Sequence, residues 1–178
     1  NLANSNLFHM HPFFQRTYFS ASRPSVVKCS FDIERVPMRV NLDEAIIKLQ
    51  NGEVVAIPTE TVYGLAADAS NDNALRQIYA IKQRPADNPL IVHIADANQV
   101  NDWAAEFSPL AQKLAQAFWP GPLTLVLPAK PRVSSILRGN HPTVALRVPN
   151  HALTLQLLKQ SGLALPAPSP NKFTQLSP

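Results

Sequence analysis

Three cations and a few neutral hydrogen-bonding side chains are the residues of this sequence whose types and spacing could do chemistry. Lys82 and Arg84 stand two apart, directly before Pro85. Residues two apart on a regular helix do not share a face. Proline, however, disfavours the helical conformation in the residue before it, so residues 82–84 fall in a last turn or its unwinding end, where both cations could converge on one anion. Lys82 would supply a compact charge and Arg84 a planar fork suited to two phosphate oxygens. Arg147, at the end of a β-branched and apolar run, offers a second fork. Ser169 and Asn171 could add neutral hydrogen bonds. The plainer account stays open, since cations at a helix C-terminus complement its dipole and all five are ordinary element-end residues.

Several other chemistries are excluded or weak. The five glycines lie at 52, 64, 121, 139 and 162, so there is no GxGxxG and no Walker loop, and a nucleotide would have to be held by side chains. The single cysteine, Cys29, rules out an internal disulfide and a thiolate cluster. No Ser-His-Asp or Cys-His pattern is present. His9 and His11 lack further ligands nearby and make a weak metal site. No apolar stretch reaches membrane-spanning length; the longest, residues 115–129, contains Pro120, Pro122 and Pro128.

The 178 residues, 46% of them hydrophobic, fit one domain with a sizeable core. Of the net charge of +4, residues 1–39 carry five Lys/Arg against two acids, and the rest carries eleven against ten. No acid follows Glu106, so the second half is basic and could line an anion site, a solvated basic face being the alternative.

The elements that must position these residues centre on residues 54–94. Val54 to Ile57 reads as a strand stopped by Pro58, which leaves Thr59, Glu60 and Thr61 at a strand end. A helix marked by Leu75, Ile78, Tyr79 and Lys82 follows a cap at Asn71 or Asp72, and Leu90 to Ile94 is a second strand, which together suggest a βαβ unit. His93 there also reads as a core histidine, and Thr59 and Thr143 as turn caps. Upstream, Leu42, Ala45, Ile46 and Leu49 form an apolar helical stripe with Gly52 as the stop. Downstream, Ser108-Pro109 starts a helix whose apolar face would be Leu110, Leu114, Ala117 and Phe118. Strands at 123–127, 144–148 and 163–165 and a helix from Leu153 to a stop near Gly162 complete an α/β pattern. Tyr63, Phe118 and Trp119 read as core or wall aromatics. Residues 1–37 contain no glycine, no clear periodicity and no acid before Asp32, and are expected to be a disordered or leader extension to a domain over 38–178.

The ordered motifs PTETVYGL, KQRPADNPLIVH, WPGPLTLVL, TVALRVPNH and APSPN resemble the YrdC-like family of threonylcarbamoyl-AMP synthases, over most of the chain. The resemblance implies an α/β fold, a twisted open mixed sheet with flanking helices and a basic concave cleft. It implies a nucleotidyltransferase that condenses L-threonine, bicarbonate and ATP, the last with Mg²⁺, into threonylcarbamoyl-AMP and pyrophosphate for tRNA modification. It assigns Thr59 and His93 to threonine. It assigns Lys82 and Arg84 to the triphosphate as catalytic cations, and Thr143, Arg147, Ser169 and Asn171 to the nucleotide. No protein metal cage is expected. The implied partner is a tRNA-modifying transferase complex and the implied location is the cytoplasm, or an organelle if residues 1–37 are a transit peptide.

Two departures stand out. The final motif reads Ser169-Pro170-Asn171 where the family has SAN, and the proline restricts Ser169 towards extended geometry. Relatives also continue beyond the position of Pro178, which predicts a C-terminally incomplete domain of reduced stability. The rival reading is a double-stranded RNA or tRNA binding module without catalysis, whose affinity would fall steeply with salt and need no threonine.

Overall fold

The computed structural model describes residues 7–9 and 38–171. Cys29, His11, Lys172 and most of the expected extension lie outside the described residues. The described part of that extension, β1 (Leu7–His9), is a strand, paired antiparallel on both sides.

Local signals explain most elements. After β2 (Met38–Val40), helix α1 (Leu42–Gln50) starts at Asn41, whose side chain accepts from the Glu44 N–H while the Glu44 carboxylate accepts from the Asn41 N–H, a reciprocal capping box. β3 (Val55–Ile57) stops at Pro58, as its missing N–H requires. Next come β4 (Gly64–Ala66) and α2 (Asp72–Lys82), the helix capped at its start by the Asn71 side chain and closed by Gln83 in the left-handed region, φ +51°. β5 (Ile91–His93), a 3₁₀ turn at Ala97–Gln99, α3 (Val100–Trp103) and α4 (Pro109–Phe118) follow, α4 capped by the Ser108 hydroxyl. The described chain closes with β6 (Leu125–Pro128), β7 (Thr143–Arg147), α5 (Ala152–Ser161) and β8 (Leu165–Pro166).

The strands form two four-stranded sheets. One is antiparallel in the order β2-β1-β3-β4, and the other is mixed in the order β6-β7-β5-β8, with β5 parallel to β7. The strand-helix-strand reading of residues 54–94 as a βαβ unit is therefore corrected. β3 turns back through the Thr59–Val62 turn into β4, and α2 then carries the chain into the other sheet. The three residues of β4 are all buried, so this short strand has no alternating pattern to announce it.

The two sheets meet where β4 approaches the segment after β8. The Leu65 N–H donates to the Pro168 carbonyl at 2.8 Å. A Cβ on Gly64 would lie 2.7 Å from the Ala167 carbonyl oxygen, so only glycine permits this approach. One core packs Val92, Leu125, Leu127, Val144 and Leu146 of the mixed sheet against α2, α3 and α4; the second packs β3, β4 and β8 against α1 and α5.

The apolar face of α4 differs from the expected one. Ala111 and Ala115 are buried, whereas Leu110 and Phe118 are 68% and 56% exposed. Phe118 and Tyr63 are thus not core aromatics, while half-buried Trp119 anchors a turn by donating from its indole to the Leu123 carbonyl.

Candidate functional site

The mixed sheet buries one face and leaves part of the other open. Along β7, Val144 and Leu146 face the core while Thr143, Ala145 and Arg147 alternate onto the opposite face, where Ile91 and Val126 are exposed. In the parallel register Ile91 lies beside Ala145 and His93 beside Arg147. Thr143, two residues earlier than Ala145, therefore falls level with Pro89, on the order of 13 Å along the strand from Arg147. The candidate residues divide into two corners.

The first corner holds Thr59, Glu60, His93 and Arg147. Thr59 forms a tight turn, its hydroxyl donating to the Val62 carbonyl at 2.5 Å, which agrees with the turn-cap reading. The turn is anchored from α5, because buried Thr154 donates its hydroxyl to the Pro58 carbonyl at 2.5 Å. The Glu60 carboxylate accepts from Arg147 Nη2 and from the Asn150 N–H, each at 2.7 Å. Burial pushes the Glu60 carboxyl up, but the Asn150 hydrogen bond and the Arg147 guanidinium prevail and hold it below its ordinary value.

His93 is 5% exposed, and burial, followed by the Arg147 charge, lowers its pKa to about 4. Its ring is neutral at pH 7. Nδ1 lies 3.3 Å from the Leu165 carbonyl, which can only accept, so this contact assigns the proton to Nδ1 and leaves Nε2 as an acceptor. Arg147 Nε and His151 Nδ1 are buried without a hydrogen-bond partner among the described residues.

The second corner holds Lys82, Arg84, Ser169 and Asn171. Lys82 ends α2 with a side chain only 2% exposed, and its ammonium donates to the main-chain carbonyls of Ser169 and of Asn171, the latter at 2.7 Å. Burial, with a contribution from the nearby Arg84 charge, pushes the Lys82 ammonium below its ordinary value. No carboxylate partners Lys82 among the described residues. Arg84 Nη2 donates to the Pro89 carbonyl at 3.0 Å, and the neighbouring Asn88 carbonyl accepts from the Tyr79 hydroxyl at 2.8 Å. Ser169 and Asn171 thus reach Lys82 through their backbone carbonyls.

The structure therefore brings Lys82 together with Ser169 and Asn171, and His93 with Arg147, and it separates Thr143 from Arg147. Of the basic residues after Glu106, Lys130, Arg132 and Arg138 are spent on the carbonyls of Asn101, Asp102, Val133 and His141. Glu60, Asn150 and Thr154 carried no assigned role in the sequence. The one signal for Glu60 is its place between two threonines at a strand end. Among the described residues, no group of three or more His, Cys, Asp or Glu could hold a metal, and no helix is long and apolar enough to cross a membrane.

These features define a class, a mixed α/β domain with an arginine and a neutral histidine at the strand ends of an open sheet face and a buried lysine at a helix end. The family described as Telomere recombination, that of Sua5, YciO and YrdC, matches residues 48–178, and the chain belongs to it. It is 49% identical over 136 residues to the threonylcarbamoyl-AMP synthase of Bacillus subtilis, with 76% of this chain and 39% of that protein covered. It is 41% identical over 133 residues to the threonylcarbamoyl-AMP synthase of Vibrio vulnificus, covering 74% and 72%. Among solved structures it superposes on Pyrococcus abyssi Sua5 complexed with L-threonine with a TM-score of 0.75 at 46% identity, covering 77% of this chain and 40% of that one. The chain thus spans about two fifths of the length of the Bacillus and Pyrococcus proteins.

Proposed function

We propose that this chain carries the catalytic chemistry of a threonylcarbamoyl-AMP synthase: L-threonine, bicarbonate and ATP give threonylcarbamoyl-AMP, pyrophosphate and water. The observation that carries the reading is the Lys82 ammonium, buried against the Ser169 and Asn171 carbonyls with no carboxylate partner among the described residues and with Arg84 beside it. A buried charge held only by neutral acceptors favours an anionic guest. The named synthases among the relatives and the threonine complex of Sua5 support reading the guests as L-threonine and a nucleotide.

Threonine occupies the Thr59 and His93 corner, where the Nε2 lone pair of His93 accepts from its amine or hydroxyl. Its amine takes up bicarbonate as a carbamate, and a carbamate oxygen attacks the α-phosphate of ATP as the bond to pyrophosphate breaks. Both partners are anions, so Lys82 and Arg84 act by fixing the triphosphate and offsetting its charge, with no side-chain nucleophile. Thr143, Ser169 and Asn171 complete the nucleotide side, and Arg147 serves it from the threonine corner, where the β5–β7 register sets it beside His93. The cations and carbonyls of the Lys82 corner suit a polyphosphate better than a bare divalent ion, so Mg²⁺ would arrive bound to the nucleotide. The product goes to a transferase complex that modifies tRNA, in the cytoplasm.

The test is pyrophosphate release from ATP, with and without L-threonine and bicarbonate. Release that needs both co-substrates and is lost in Arg84→Ala is the expected result. Nucleic-acid binding that collapses with salt, with no threonine-dependent release, would favour the RNA-binding reading instead.

A further inference from the structure

Arg147 can present its guanidinium in many ways, and one neighbour restricts the choice. The Glu60 carboxylate takes Nη2 at 2.7 Å, and both side chains are about one-fifth exposed, so solvent only partly screens the pair. The same carboxylate oxygen accepts from the Asn150 N–H at 2.7 Å, which fixes the Glu60 side chain from a third segment. Glu60 leaves its strand end through a turn that is itself tied down at Thr59–Val62 and at Pro58–Thr154. The carboxylate therefore sits on a braced support.

On the other side, Arg147 stands beside His93 in the β5–β7 register, and its Nε is buried with no protein acceptor among the described residues. Buried donors in native proteins are almost always satisfied, and an acceptor brought by a bound substrate would satisfy this one.

We infer that Glu60 is a positioning residue for the synthase reaction, holding Arg147 by one edge of its guanidinium so that the remaining N–H donors are fixed for the substrate. Glu60 does not touch substrate itself. It also cancels the Arg147 charge next to neutral His93, so this corner suits a group of little net charge. The inference rests on the synthase reading proposed above.

The discriminating variant is Glu60→Gln, which keeps an oxygen to accept from the Asn150 N–H but removes the charge that holds Arg147. In a double-mutant cycle with Arg147→Ala, kcat/KM for pyrophosphate release falls roughly 10- to 100-fold in Glu60→Gln, the range for losing a hydrogen bond to a charged group. The same substitution then has less than about a twofold effect in the Arg147→Ala background, because the residue it acts through is gone. Glu60→Asp, which keeps the charge, recovers part of the loss.

A second readout does not depend on turnover. The Arg147 guanidinium NMR signals are expected to be resolved and slowly exchanging in the wild type and averaged in Glu60→Gln. If the wild type released no pyrophosphate, the synthase reading would fail, and these signals would still decide whether Glu60 holds Arg147. Equal losses with and without Arg147, or unchanged guanidinium signals, overturn the inference.

Discussion

The two corners of the candidate site treat a buried cation in opposite ways. At the first, Arg147 is met by the Glu60 carboxylate, and His93 beside it is neutral. At the second, Lys82 is more deeply buried yet, among the described residues, is met by main-chain carbonyls and no carboxylate. Carbonyls satisfy the N–H donors of an ammonium without cancelling its charge. The first corner is electrostatically complete and shaped for a zwitterion or neutral group, whereas the second keeps an unspent positive charge for an anion. The contrast divides a threonine side from a phosphate side more sharply than a count of basic residues does.

Substitution at Lys82 breaks the comparison most severely. Lys82→Met removes the uncompensated charge and is expected to lower ATP-dependent pyrophosphate release by roughly 100- to 1,000-fold, the range for losing one preorganised donor. Lys82→Arg restores charge but not the compact ammonium that fits between two carbonyls, and should recover little of it. Steady-state release at saturating threonine and bicarbonate measures both.

Protonation probes the neutral corner. Folding holds His93 near 4 against an ordinary value of 6.5, so between those limits the unfolded chain binds more protons and stability rises with pH. Stability is expected to fall by about 3 kcal/mol as pH drops from 6.5 to 4. Urea titrations across that window should show the slope, and His93→Gln should flatten it.

The smallest expected effect sharpens the comparison by moving one corner against the other. In Gly64→Ala the added methyl meets the Ala167 carbonyl and pushes β4 away from the segment that leads to Ser169 and Asn171. A loss of about 2 kcal/mol in urea unfolding is expected, as for other overpacked sites. Activity should fall with it, because the carbonyls that hold Lys82 lie on the displaced segment.

How much of this was legible depended on whether the cause was local. Pro85 marked the end of α2, and Asn71 marked its start, because both act within a few residues. The pairing of β3 with β4 was hidden, since Gly64–Ala66 is buried throughout and too short to show a period. The exposed side of α4 was misjudged because small Ala111 and Ala115 allow close packing where Leu110 and Phe118 looked like the better core. Lys82 was legible as a cation but not as a buried one, since its acceptors lie 87 and 89 residues away. The role of Glu60 was not legible beyond its place at a strand end, because Asn150 is 90 residues distant and the tie forms only once β3 and β7 are in place.

The most direct measurement is an NMR titration of the wild-type protein, first with L-threonine and then with a non-hydrolysable ATP analogue. Threonine is expected to shift the His93 ring and the Thr59 amide while leaving Lys82 nearly unmoved, and the analogue is expected to shift Lys82 and Arg84. Shifts confined to outlying basic residues such as Lys113 and Lys159, abolished by moderate salt and indifferent to threonine, would contradict it.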